Sequence, residues 1–157
     1  MNEGRYQNPA GSSISIRQAT EGDSDFIKDR LRQHNFDVSD FNYQDFVVAQ
    51  EDGEPIGFGR LRKTGPMHEI GNVTVIEERR GQGIGSLIIR HLIDTSSTRM
   101  VVVYVTRDLI PYFEKLGFSV MKEGSKELYD ALDEAFRISG KTDTAIMVYE
   151  KPAVAQG

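Results

Sequence analysis

The chain has 157 residues, a formal net charge of −5, three histidines and no cysteine, a length that suits one domain with a real core. The acidic balance argues against a general binder of nucleic acid or of an anionic membrane, and the missing cysteines exclude a disulfide framework, a thiolate nucleophile and a cysteine metal site. His34, His68 and His91 show no metal-ligand spacing, no apolar stretch approaches membrane-spanning length and the N-terminus has no apolar signal region, so a cytoplasmic protein without a metal is expected.

Residues 1–11 are polar with glycine and proline and read as a flexible tail, ahead of a domain over 12–151 and a short tail over 152–157. Ile14, Ser15 and Ile16 alternate and begin a strand. Thr20-x-x-Asp23 has capping-box spacing, ahead of a helix with Phe26, Ile27 and Leu31 on one side. Asn35 to Gln44 reads as a loop or short helix whose aromatics are core edge or substrate wall. Phe46 to Gln50 and Glu54 to Lys63 read as strands joined by an Asp52-Gly53 hairpin turn. Gly65-Pro66 marks another turn and Glu69 to Ile76 the next strand. Met100 to Thr106 is a continuous apolar run, suited to a central strand covered on both faces. Asp108 can cap a helix over Leu109 to Leu116, with Pro111 in its first turn and Gly117 as its stop. Phe118 to Met121 reads as a strand, Ser125 caps a further helix with Leu128, Leu132 and Phe136 inward, and Thr144 to Glu150 closes as a strand.

The stretch from Val73 to Ile93 carries the strongest signal. Its β-branched run gives way to Glu77–Arg80, then to Gly81, Gly83 and Gly85, then to a helix with Ile84, Leu87, Ile88 and Leu92 on one face. Glycines at a strand-to-helix junction allow positive φ or the close approach of a ligand. The first helical turn presents N–H groups without intrahelical partners at the positive end of the dipole, which is a site for a phosphate, and Arg79 and Arg80 add two cationic forks. The dinucleotide pattern G-x-G-x-x-G fails, because Ser86 stands where its third glycine belongs, and no P-loop is present.

What fits is R-x-x-G-x-G, as Arg80, Gly83 and Gly85, behind the V-x-V of Val73 and Val75. This resembles the acetyl-CoA pyrophosphate loop of the GNAT N-acetyltransferases, and Tyr112-Phe-Glu-Lys-Leu-Gly-Phe118 resembles that family's late helix followed by L-G-F. The resemblance runs over about Ile14 to Glu150 and implies an α/β fold: a single GNAT-like domain with a central, mixed, mostly antiparallel sheet, a splayed parallel strand pair and helices on both faces. It implies that Val73, Thr74 and Val75 meet pantetheine through the backbone, and that an N–H near Val75 polarises the thioester carbonyl. It also implies that Arg79, Arg80, Gly81, Gln82, Gly83, Ile84, Gly85 and Ser86 hold the pyrophosphate. Thr106 stands where many members carry asparagine, and Phe113 where many carry the tyrosine that protonates the leaving thiolate. Thr106-Arg107, Phe113, Gly117-Phe118 and Ser125–Tyr129 also resemble the acetyltransferase domain of N-acetylglutamate synthases.

Acetyl transfer needs a neutral amine. For a group of pKa about 10.4, exposing the neutral form at pH 7 costs about 4–5 kcal/mol. Glu69 is the candidate base, at a position where several family members keep a glutamate, with His68 as the neighbouring alternative that must face the other way along a strand. The other reading of Glu69 is a solvated strand end. The expected activity is direct transfer from acetyl-CoA to a primary amine of a small molecule, an amino acid (glutamate-like within this class) or a peptide, in a chain that could dimerise. The competing readings are a non-catalytic acyl-CoA-binding or sensing module, motivated by Phe113, and a nucleotide-binding protein of another fold.

Overall fold

The computed structural model describes residues 4–7, 13–121 and 144–152. In chain order these form β1 (Gly4–Gln7), β2 (Ser13–Gln18), α1 (Ser24–Gln33), β3 (Phe46–Glu51), β4 (Glu54–Thr64), β5 (Met67–Val75), α2 (Ile84–Thr95), β6 (Met100–Thr106), α3 (Ile110–Lys115), β7 (Ser119–Val120) and β8 (Thr144–Glu150). The class is α/β with a mixed sheet, one strand pair parallel and the rest antiparallel. The helix expected after Ser125 lies outside the described residues. Among the described residues no helix is long and apolar enough to cross a membrane.

The chain falls into two compact units, Met1–Leu61 with Ile70–Thr95, and Arg62–Glu69 with Ser96–Gly157. In the first unit the strand order is β1-β2-β3-β4-β5. Alternation along β4 sets its two faces. Phe58 is fully buried against Phe46 and meets Phe26 of α1 edge-on at 6.1 Å, within a core of Ala19, Ile27, Leu31 and Val48. Each phenylalanine so buried contributes about 1.5–3 kcal/mol. Phe41 packs on the same core, 5.2 Å from the Phe46 ring, whereas Phe36 is exposed. Gly57 and Gly59 face the other way and seat α2. A Cβ on Gly59 would lie 2.7 Å from Ile88 and 3.0 Å from Leu92, and one on Gly57 would lie 2.8 Å from the Thr74 carbonyl. The glycines thus let the helix approach the backbone of β4.

The Asp52-Gly53 turn has φ of 52° and 81°, the left-handed pair that a two-residue hairpin requires. The Thr20–Asp23 spacing forms as expected: Asp23 accepts from the Thr20 N–H at 2.7 Å, and it also takes a two-pronged bond from Arg17 at 2.7 and 2.9 Å. That cation holds the Asp23 carboxyl down at about 2. One correction concerns the N-terminus. Residues 4–7, read as part of a loose tail, form β1 and pair antiparallel with β2, because an open sheet edge accepts any backbone with free N–H and C=O groups and needs no apolar pattern.

In the second unit the order is β5-β6-β8-β7, with β6 and β8 paired antiparallel over their whole length. Met67 and Val102 form its buried cluster, with Tyr104, Ile146 and Val148 packed against them. A second correction falls on α3. Asp108 caps nothing, because the chain leaves β6 through a 3-10 turn over Arg107–Leu109 and α3 begins only at Ile110, with Leu109 at its N-cap. Gly117 does end the helix, with φ 99° and the paired bonds Phe118 N–H to Phe113 carbonyl (3.1 Å) and Gly117 N–H to Glu114 carbonyl (3.0 Å). Gly59→Val places two methyl groups into Ile88 and Leu92. Equilibrium urea unfolding should show a loss of about 1–3 kcal/mol, and wild-type stability would contradict the seating of α2.

Candidate functional site

The corner between β5 and α2 is built almost entirely of backbone. Gly81 and Gly83 have φ of 79° and 81°, and a Cβ at either would meet nothing within 4 Å. Glycine is therefore favoured there by conformation, and neither position carries a side chain into the open space beside it. The Gly83 carbonyl accepts the first intrahelical bond, from the Leu87 N–H at 3.1 Å, so Gly83 is the N-cap of α2. A glycine N-cap has no side-chain oxygen to satisfy the amides of the first turn, at Ile84, Gly85 and Ser86. With the helix dipole behind them, these amides form a donor set suited to a diphosphate.

β5 approaches this corner with a defect. Asn72 sits in the middle of the strand at φ 53°, and Thr74 Oγ1 donates back to the Asn72 carbonyl at 3.2 Å. Left-handed backbone inside a strand bends it, and asparagine tolerates that conformation better than other side chains. Val73 turns its side chain toward Gly59. The Ile76 N–H bonds the Ile56 carbonyl of β4 at 2.9 Å. In extended chain successive N–H groups point to opposite sides, so the Val75 N–H points away from β4, as a donor to a thioester oxygen must.

The two arginines, equal in the sequence, are unequal in the structure. Arg79 is ion-paired with Glu51, whose side chain is 6% exposed, and it donates to Gln82 Oε1 at 3.3 Å. It therefore ties the glycine turn to the end of β3, a second task beside the phosphate contact expected of both arginines. Arg80 is exposed and donates through Nε to the Val75 carbonyl at 3.2 Å, which anchors its guanidinium between the end of β5 and the turn.

Glu69, Thr106 and Phe113 belong to the second unit. Glu69 is buried, with its Oε2 accepting from Thr64 Oγ1 at 3.3 Å and lying 3.7 Å from the Arg62 guanidinium, so it is not a solvated strand end. Met67 packs on Val102 and alternation brings Glu69 and Tyr104 to the same face of their strands. Burial and the Glu69 charge push the Tyr104 phenol up to about 12, so it stays protonated through the physiological range. His68 turns to the other face, where its Nδ1 shares a 2.6 Å hydrogen bond with Ser96 Oγ, and burial followed by Lys63 and Lys151 lowers its pKa. Phe113 stands in an edge-to-face row with Tyr112 at 5.2 Å and Phe118 at 5.4 Å, and brings no hydroxyl. Thr106 is exposed at the N-cap of the 3-10 turn, without a side-chain capping bond.

Sequence reasoning missed Glu51, Asn72 and Tyr104. Only Asn72 had a local signal, the Gly71-Asn72 pair inside a strand pattern. Among the described residues, no group of three or more His, Cys, Asp or Glu side chains is placed to hold a metal ion.

A glycine turn that opens a helix at the end of a kinked strand is the feature of this α/β fold best suited to an anion. The chain belongs to the GNAT acetyltransferase family: residues 14–118 match the family model "Acetyltransferase (GNAT) family". No curated protein sequence matches it. Among solved structures it is similar to N-acetylglutamate synthase from Neisseria gonorrhoeae complexed with coenzyme A and N-acetyl-glutamate (TM-score 0.74, 21% identity, 88% of this chain and 35% of that one). The chain thus spans about a third of that protein's length. It is also similar to Rv2747 from Mycobacterium tuberculosis, solved with CoA (TM-score 0.74, 20% identity, 87% and 99%). A third similar structure is Arabidopsis thaliana Naa50 with a bisubstrate analogue, CoA-Ac-MVNAL (TM-score 0.58, 20% identity, 86% and 96%). At these identities the likeness is one of fold.

The partition of the arginines has a direct test. Arg79→Met removes the cation from a buried carboxylate and should cost about 2 kcal/mol or more in urea unfolding. Arg80→Met should change stability by no more than about 0.5 kcal/mol while weakening coenzyme A binding about tenfold in calorimetry. Equal effects of the two substitutions would contradict the assignment.

Proposed function

We propose that this protein is an acetyl-CoA-dependent N-acetyltransferase that passes the acetyl group directly to a primary amine of a small molecule, an amino acid or a peptide. The observation that carries this reading is the first turn of α2, capped by a glycine and flanked by two left-handed glycines, with Arg80 anchored on the Val75 carbonyl. Family membership and similar folds solved with coenzyme A support the donor. An amino-acid acceptor is supported by the synthase solved with N-acetyl-glutamate, and a peptide acceptor by Naa50 with its peptide-bearing analogue. The cytoplasmic setting expected from the sequence belongs to the same proposal.

The chemistry follows from the groups present. The amine nitrogen attacks the thioester carbon, the C–S bond breaks, and the amine proton must leave. Glu69, held by Thr64 and Arg62, is the base that takes it, directly or through water. A positioned base contributes about 10²–10⁴ in rate, and orientation can contribute up to about 7–11 kcal/mol. Orientation is the larger effect, and the turn, Arg80 and the Val75 N–H supply it. A thiol of pKa about 8.5 leaves as thiolate with little help, so the missing hydroxyl at Phe113 weakens the mechanism without removing it. That same missing hydroxyl favours a second reading, a non-catalytic acyl-CoA-binding module.

Thiol release from saturating acetyl-CoA over a panel of amines, amino acids including glutamate, polyamines and peptide N-termini separates these readings. Acceptor-dependent release supports the enzyme. Stabilisation by coenzyme A without release favours the binding module, and neither result would end the proposal. Gly83→Asp puts a side chain and a negative charge at the donor set and should abolish coenzyme A stabilisation, whereas wild-type affinity would refute the site. Glu69→Gln should lower kcat/KM about 10²-fold or more, most strongly at low pH where the amine most needs a base. An unchanged pH–rate profile would remove Glu69 from the mechanism.

A further inference from the structure

Within the first unit lies a hollow of ≈ 310 Å³ that neither the glycine corner nor Glu69 lines. It is large enough for a small molecule. Its floor is aliphatic, from Val47, Leu61 and Leu92, and it opens beside Thr95, the last residue of α2.

Three of the polar groups around it present acceptors. Gln18 Nε2 donates to the carbonyls of Gln44 and Phe46 at 2.8 and 2.9 Å, so both amide hydrogens are used and Oε1 can only accept. Thr95 Oγ1 donates its hydrogen to the Leu92 carbonyl at 3.3 Å, and its remaining capacity is to accept. Asp45, also in the lining, carries a carboxylate. The C-terminal end of α2 is the negative end of its dipole, and no basic residue occupies its last turn. The Gln44 side-chain amide and the His91 ring, which completes the polar lining, can each donate as well as accept.

We propose that this hollow is a binding site for a small organic cation, an ammonium or guanidinium on a short aliphatic body. The cationic head donates to Asp45, Gln18 Oε1 and Thr95 Oγ1. The body covers Val47, Leu61 and Leu92 and removes them from water. An anion of the same size meets the Asp45 carboxylate and the negative end of α2 and is disfavoured, and a neutral alcohol loses the charge-assisted bonds. The site is separate from the coenzyme A corner and does not depend on the reaction proposed above.

The test is isothermal titration of the full chain with n-butylammonium and n-butylguanidinium, with butyrate and n-butanol as isosteric controls. Both cations should bind about tenfold or more tighter than either control. Asp45→Asn should weaken the cations several-fold, and Leu61→Trp, which fills the floor without touching charge, should abolish their binding. Coenzyme A stabilisation should survive both substitutions. Equal binding of butanol and butylammonium to the wild type overturns the proposal without reference to any variant. Undiminished cation binding in folded Leu61→Trp overturns it as well.

Discussion

A helix that begins on a bare glycine has no side-chain oxygen at its N-cap for the amides of its first turn, and it presents the positive end of its dipole there. Most helices solve the problem with a serine, threonine or aspartate at the N-cap. Gly83 offers none, and both it and Gly81 are left-handed positions with open space where a Cβ would lie. An anion is the natural partner for such a donor set. The seating of α2 on Gly57 and Gly59 fixes where the donors lie, because a helix pressed against strand backbone has little freedom to shift.

Around that corner the charged residues divide their work. Glu51 engages Arg79 and holds the turn to β3, whereas Arg80, fastened at Nε by the Val75 carbonyl, stands on the exposed side. Within the second unit, taken by itself, Glu69 is held by Thr64 and Arg62, with the Tyr104 phenol on the same face staying protonated. Phe113 contributes packing in an aromatic row, so in the proposed reaction the burden shifts toward orientation. A thioester donor makes this workable, since its leaving group is stable as an anion near neutrality.

Much of this was legible in the sequence because it is written in local chemistry. The Asp52-Gly53 turn, the Gly117 helix stop and the glycine junction each follow from what one or two residues permit at φ above zero. The residues that escaped reading are those defined by distant partners. Arg79 and Arg80 differ only because β3 delivers Glu51 to one of them from 28 positions upstream, a fact of strand pairing that no spacing rule contains. Tyr104 hides inside an apolar run and gains its character from burial, with a carboxylate on another strand adding to it. β1 lacks an apolar pattern and is held by edge pairing alone. Asn72 was within reach, since a Gly-Asn pair inside a strand announces a bend.

The most direct measurement is an amide proton–nitrogen correlation spectrum followed through a titration with coenzyme A. If main-chain donors grip the diphosphate, the Ile84, Gly85 and Ser86 amides shift strongly downfield together and saturate at one affinity, with Gly81 and Gly83 perturbed alongside them. If those amides stay in place while coenzyme A binds elsewhere, the helix start is only a turn, and the account built on it fails.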